Sequence, residues 1–191
     1  MLDRPKWDKY FLNICEKIAE RSLDENTKLG CVITDARHRI VSTGYNSLPA
    51  GVNDNYWPKN RNDKLYAYKI KELADNIETR VIYDKEISLD NFGISTDTSN
   101  INLSFKKLGD ITKYDVITHA EVNAIASSKC DLIGYTLYCT YLSCHECAKV
   151  IIASGIKKVV YLKENPNFER SHTIAKEMFK QANVELVQIN D

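Results

Sequence analysis

The sequence predicts a layered α/β domain, with helices on both faces of one sheet. Two patterns carry that expectation. From Thr118 onward, stretches with helical spacing alternate with short runs of β-branched and aromatic residues. Ahead of them, one amphipathic helix is followed by two strand-like runs joined by a polar turn. The chain has 191 residues, 43% of them apolar and 27% charged, enough for one domain with a real core. Lys+Arg and Asp+Glu are both 26, so the formal net charge is zero. That balance argues against a protein that grips long nucleic acid through many phosphates, though not against a pocket for one phosphate.

Trp7, Phe11, Ile14 and Ile18 lie on one helical face, which predicts a first helix at about 6–22. Residues 29–34 and 39–45 read as a hairpin around Asp35-Ala36-Arg37-His38. Gly44-Tyr45-Asn46-Ser47-Leu48-Pro49-Ala50-Gly51 then breaks regular structure and suits a loop that brings backbone close to a ligand, or a plain surface turn. Tyr66, Ile70, Leu73 and Ile77 have helix spacing, so a helix at about 61–79 is expected, with a short strand at 81–83. Residues 87–102, rich in Ser, Thr, Asn and Asp, read as loop, either a functional lid or partly disordered. Further helices are expected at 119–128, 144–154 and 171–182, and strands at 135–140, 157–162 and 184–189, with Gly155 ending its helix.

The first residues hold no apolar signal-peptide core, and no apolar run reaches the roughly 18 residues of a membrane span. Six cysteines are present. If two bind metal, Cys15, Cys31, Cys130 and Cys139 remain, each in an apolar segment where a free thiol acts as a small hydrophobe. A reducing cytoplasm is the expected compartment.

The chemistry gathers at His119-Ala120-Glu121 and Cys144-His145-Glu146-Cys147. One imidazole and two thiols spaced by three suit zinc, and three protein ligands leave a fourth position for water. Residues two apart on a helix point in different directions, so His119 can bind metal while Glu121 reaches water and substrate. A helix N-terminus lowers the pKa of Cys144 and Cys147. Two competing readings stand beside this one: a redox C-x-x-C pair, and half of a closed structural zinc site. The second needs a fourth ligand, for which no residue has matching spacing, although Cys130 and Cys139 could compete in principle. His145 is expected to point away from the metal, and His38 and His172 to lie on the surface.

The H-x-E and C-x-x-C combination is the zinc deaminase signature. The chain resembles that family further, at Arg4-Pro5-Lys6-Trp7-Asp8-Lys9-Tyr10-Phe11, Gly30-Cys31-Val32-Ile33 and Ser42-Thr43-Gly44-Tyr45-Asn46. His119-Ala120-Glu121-Val122-Asn123-Ala124-Ile125 and Ser154-Gly155-Ile156-Lys157-Lys158-Val159-Val160-Tyr161 extend the likeness. Together they look like the deoxycytidylate (dCMP) deaminase branch of the cytidine/deoxycytidylate deaminases. The likeness covers about 4–54 and 118–191, leaving most of an insertion at about 54–117 unmatched.

That resemblance implies a three-layer α/β/α fold around a mixed five-stranded sheet, in a single domain over 1–191. It implies His119, Cys144 and Cys147 as ligands of one catalytic zinc, and Glu121 as the proton carrier between an activated water, ring N3 and the leaving amine. The product would be uracil as dUMP, for thymidylate synthesis, plus ammonia. Ala120 would meet the pyrimidine carbonyl through its backbone, Asn46 the sugar, and the 47–51 loop, beginning at Ser47, the phosphate, with Lys28 as a candidate phosphate partner. A homo-oligomer, hexameric in this branch, with dCTP and dTTP plus magnesium as regulators, carries over as an expectation. No membrane partner is implied.

This chain departs from the family at Ser143, where proline is usual and where serine can cap the helix. It departs at Ser47, where glycine is usual. The insertion holds no Cys or His for the further zinc of many relatives. Asn165-Pro166 stands where relatives often place a base-stacking aromatic, leaving Phe168 or Tyr141 as stand-ins. The alternatives are deamination of a base-modified dCMP, of dCTP or of an RNA base, and a non-catalytic zinc-stabilised module.

Overall fold

The computed structural model describes residues 4–62, 65–71, 77–83 and 104–190, and divides them into two compact units, 1–47 with 118–191, and 48–117. The first unit is built on a five-stranded mixed sheet. Its strands are β1 (Gly30–Thr34), β2 (Ile40–Tyr45), β6 (Thr136–Tyr141), β7 (Lys158–Lys163) and β8 (Glu185–Gln188), in the order β2-β1-β6-β7-β8. The pairs β1/β2 and β1/β6 are antiparallel, whereas β6/β7 and β7/β8 are parallel. Both parallel pairs need a crossover helix. These are α4 (His145–Ala153) and α5 (Glu169–Gln181).

Strand alternation sends side chains to two cores. Cys31, Ile33, Leu137, Cys139, Val159 and Tyr161 face a cluster completed by α3 (Ala120–Ala126), α4 and α5. Val32, Tyr138, Val160 and Leu162 meet Phe11, Leu12 and Cys15 of α1 (Trp7–Ala19) on the other face. Every residue of β1 is buried, as expected of a central strand covered on both sides. Helices on both faces are thus as expected. The Tyr138 hydroxyl donates to Asp8 Oδ1 at 2.9 Å, tying α1 to the sheet.

Two glycines set the closest approaches. A Cβ at Gly30 would collide with the backbone of Cys15 and Ala19, so only glycine lets α1 rest on β1. A Cβ at Gly44 would collide with Ala120 and Ala124, so β2 receives the backbone of α3 directly. The Ser42 hydroxyl reinforces that contact by donating to the Ala124 carbonyl. The β1/β2 turn closes through Asp35, whose Oδ1 accepts the N–H groups of Arg37 and Arg39 at 2.9 Å each. Gly155 follows α4 at φ +79, as a helix-ending glycine should.

The unit 48–117 differs from expectation. Where a helix is expected at 61–79, the described residues form β3 (Leu65–Lys71) and β4 (Ile77–Tyr83) instead. They form an antiparallel sheet of order β4-β3-β5, with β5 at Ser104–Ile111. Strand pairing overrode a spacing of four that also fits a run alternating as Tyr66, Tyr68, Ile70. A short helix, α2 (Lys113–Val116), follows β5. Pro49 to Val52 makes a turn with Val52 N–H donating to the Pro49 carbonyl at 3.1 Å, and Gly51 has φ +86. The loop expected at 87–102 lies outside the described residues. Among the described residues, no helix is long and apolar enough to cross a membrane.

Candidate active site

The chain leaves β2 and returns at α3 beside itself. Ser47 and Thr118 form an antiparallel bridge, with N–H to O distances of 3.1 and 2.8 Å. His119 comes next, at the N-cap position of α3 in extended backbone. Ala120 and Glu121 open the helix, 1% and 5% exposed. On the neighbouring connection, β6 ends at Tyr141 and the chain turns through Leu142 and Ser143 into α4. Cys144 is the N-cap of α4, not its first residue, and its Sγ accepts the Cys147 N–H at 3.5 Å. Ser143 does not cap the helix as expected; it is fully buried, with Oγ 3.8 Å from Cys139 Sγ.

These turns bring three donors together. His119 Nδ1 lies 3.2 Å from Cys147 Sγ and 3.4 Å from Cys144 Sγ, and all three ligand atoms fall within 4.8 Å of one another. In a tetrahedral zinc site, bonds of about 2.0 Å to nitrogen and 2.3 Å to sulfur put those atoms roughly 3.5 Å apart. The donor set fits zinc in chemistry and spacing. Glu121 Oε2 is buried and has no hydrogen-bond partner among the described residues. An unpaired carboxylate oxygen at such depth is costly unless a ligand or water meets it.

The electrostatics show what metal-free ligands do. Cys144 accepts hydrogen bonds from Cys147 and His119, which pull its thiol down to about 4. His119 is held up at about 9, mainly by its hydrogen bond to Cys144 and also by the Glu121 charge. Cys147 is pushed upward because its proton is shared with Cys144, with burial adding to the effect. The hydrogen bonds thus favour negative charge on Cys144 and positive charge on His119, and binding a cation would release protons from the trio.

The other expected residues divide. Asn46 is 4% exposed and its amide is committed to backbone. Its Oδ1 accepts the Leu29 N–H at 2.7 Å, and its Nδ2 donates to the Thr27 carbonyl at 2.9 Å. The Asn46 carbonyl accepts the Ser22 hydroxyl at 2.8 Å. Asn46 thus pins the loop that carries Lys28. Lys28 is exposed and lines a cleft of ≈ 300 Å³ with Glu16, Glu20, Thr140, Tyr141 and Lys163, which none of the metal-type ligands lines. Ser47 Oγ accepts from Asn123 Nδ2 at 3.2 Å, while the same amide donates to the Tyr45 carbonyl at 2.8 Å. Asn123 was visible only as part of the His119 motif; nothing in its spacing marked it.

His145 turns to Ser171 and Glu146, away from the trio as expected. His38 is exposed, stacked on Trp7 with ring centres 4.5 Å apart. His172 is not on the surface; it is 4% exposed, and burial lowers its pKa. Its spacing to Ala175 and Phe179 is the core stripe of α5, a signal the sequence carried. Cys15, Cys31 and Cys139 are buried, but Cys130 is exposed, contrary to expectation. All six cysteines are free. Phe168 is half-buried, its ring 6.2 Å from that of His172.

A family model described as the cytidine and deoxycytidylate deaminase zinc-binding region matches residues 5–163, through the 54–117 segment. The chain is 29% identical to human deoxycytidylate deaminase over 183 residues, which cover 95% of this chain and 79% of that one. It is 32% identical to deoxycytidylate deaminase of Mycobacterium phage D29 over 168 residues, 86% of this chain and 100% of the other. Among solved structures, dCMP deaminase from the cyanophage S-TIM5, in complex with dCMP and dUMP, superposes with a TM-score of 0.59 at 20% identity. The superposition covers 98% of this chain and 99% of the phage chain.

Proposed function

The chain belongs to the cytidine and deoxycytidylate deaminase family, and from that premise we propose that it hydrolyses dCMP to dUMP and ammonia at the His119–Glu121–Cys144–Cys147 site. One observation carries the reading: three zinc-type donors within 4.8 Å of one another, beside a buried glutamate oxygen that has no hydrogen-bond partner among the described residues. A redox pair does not need Glu121 or His119, and a structural zinc does not need a vacant carboxylate.

His119, Cys144 and Cys147 hold the metal. A zinc ion in such a three-ligand site supplies the Lewis acidity that makes water a nucleophile near neutral pH. Glu121 takes the proton from the attacking water and delivers it to ring N3. As the water oxygen bonds to C4, Glu121 moves a second proton to the amino group, the C4–N4 bond breaks and ammonia leaves. Burial of Glu121 keeps bulk water from competing for these transfers. Ala120, the first residue of α3, takes the pyrimidine carbonyl through its backbone. Ser47, with its Oγ held by Asn123, supplies a hydroxyl to the sugar-phosphate, and Asn46 sets the loop that carries Lys28, the candidate phosphate partner, at a neighbouring cleft.

The same reading takes the whole chain as one deaminase domain with an insertion at about 54–117, one catalytic zinc, and a homo-oligomer regulated by dCTP and by dTTP with magnesium. Six free thiols suit a reducing compartment such as the cytoplasm. A panel of dCMP, base-modified dCMP, dCTP, cytidine and tRNA, offered to zinc-loaded protein, tests the substrate. Turnover of tRNA with none of mononucleotides would overturn it. Sizing with and without dCTP, beside activity curves, tests regulation; sigmoidal kinetics relieved by dCTP are expected.

A further inference from the structure

Outside the ligand trio, Ser171 joins α5 to the turn that carries both cysteines. Ser171 lies in the first turns of α5. Its Oγ accepts the backbone N–H of His145 at 3.0 Å and lies 2.8 Å from Nδ1 of the same residue. A hydroxyl has one proton and two lone pairs, and a backbone N–H can only donate. One hydroxyl can therefore make both contacts together, accepting from the backbone and bonding the ring through its proton or its second lone pair. The other ring nitrogen, Nε2, faces Glu146 Oε1 at 3.1 Å.

The backbone half of the contact falls at a demanding point. The His145 N–H is among the donors that the first turn of α4 leaves without a helical acceptor. The Cys147 N–H is met inside the turn, by Cys144 Sγ. The two sulfur ligands thus bracket a residue clamped from another helix, at main chain and side chain together. The residue after Ser171, His172, is buried, so this end of α5 is packed in place.

We propose that Ser171 is a positioning residue for the metal centre. Through its double contact with His145 it holds the Cys144–Cys147 turn in ligand geometry and slows loss of the ion. Groups behind metal ligands commonly change affinity by about 10–100-fold, and Ser171 acts through the helix turn rather than through a ligand side chain. The inference rests on the zinc reading above.

The test uses the full-length zinc-loaded protein. Zinc release to excess 4-(2-pyridylazo)resorcinol is timed for wild type, Ser171→Ala, Ser171→Thr and Lys176→Ala. Lys176 is the control, because it lies on α5 but pairs with Glu164, at 2.8 Å. Ser171→Ala should release zinc about tenfold faster or more. Ser171→Thr, which keeps the hydroxyl, and Lys176→Ala should stay near wild type. In cobalt-substituted protein, the thiolate-to-cobalt band should weaken or shift in Ser171→Ala alone. His145→Ala, which removes the ring contact and leaves the backbone one, should accelerate release less, and carries the test if Ser171→Ala does not fold. Release from Ser171→Ala at the wild-type rate overturns the proposal, as does equal acceleration by Lys176→Ala. If wild type takes up no zinc, the metal reading itself falls, and the proposal with it.

Discussion

Replacing Asn46 with alanine separates two roles for this residue. If its amide chiefly touched the substrate sugar, the variant would fold normally and show only a raised KM. The structure assigns the amide elsewhere, to the Leu29 N–H at 2.7 Å and the Thr27 carbonyl at 2.9 Å, in a residue 4% exposed. Each lost hydrogen bond costs on the order of 1 kcal/mol, and a half-buried partner left unsatisfied adds to that, so the pair comes to about 2–4 kcal/mol. For a chain of this size, that is a fall in Tm of roughly 4–16 °C. Urea unfolding of the metal-loaded protein, followed by tryptophan fluorescence and circular dichroism, measures it. Because the Thr27–Leu29 loop carries Lys28, KM for dCMP should rise as well. A stability change under about 0.5 kcal/mol with a raised KM would refute the assignment and return Asn46 to direct substrate contact.

Gly44→Ala drives a methyl into the backbone of Ala120 and Ala124, so α3 must shift; a loss of about 1–3 kcal/mol and weaker zinc retention are expected, read by urea titration and metal analysis. In metal-free protein, Cys144 should show thiolate absorbance at 240 nm that persists down to about pH 4, where an ordinary cysteine would lose it near 9. The signs follow from the directions. The Cys144 contribution to stability is complete above its ordinary pKa and drains as pH falls through about 4, whereas the His119 contribution is complete below 6.5 and drains as pH rises through about 9. A thiolate titrating near 9 would show that the imidazolium–thiolate pair does not form.

The strands of the five-stranded sheet and the helices of the first unit were legible within a residue or three, because each has a buried face with a clear period. Gly155 marked the end of α4 by its chemistry, whereas Gly44, expected to open a loop at a ligand, lies in β2 against the backbone of α3. Three features were not legible, each for a physical reason. Tyr66 and Ile70 fit a helix and a strand equally, and pairing partners distant in sequence decided for β3. Ser143 and Cys144 exchanged the expected capping role, since a metal-type thiol can accept the Cys147 N–H itself and leave the serine to be buried. Asn46 and Ser171 do their work on backbone atoms of other segments, and no local pattern announces a long-range hydrogen bond. The ligand trio was readable because its residue types are rare and its chemistry is specific; the groups that hold the trio in place are ordinary polar residues.

The central claim is that Glu121 carries protons for hydrolysis at a zinc held by His119, Cys144 and Cys147. Its most direct test is ammonia and dUMP release from dCMP by wild type and Glu121→Gln, with zinc content measured on the same samples. The account predicts stoichiometric dUMP and ammonia from wild type, and a loss of about 10²–10⁴-fold or more in kcat for Glu121→Gln at an unchanged one zinc per chain. Wild-type turnover in Glu121→Gln, or no turnover of dCMP by zinc-replete wild type, would contradict it.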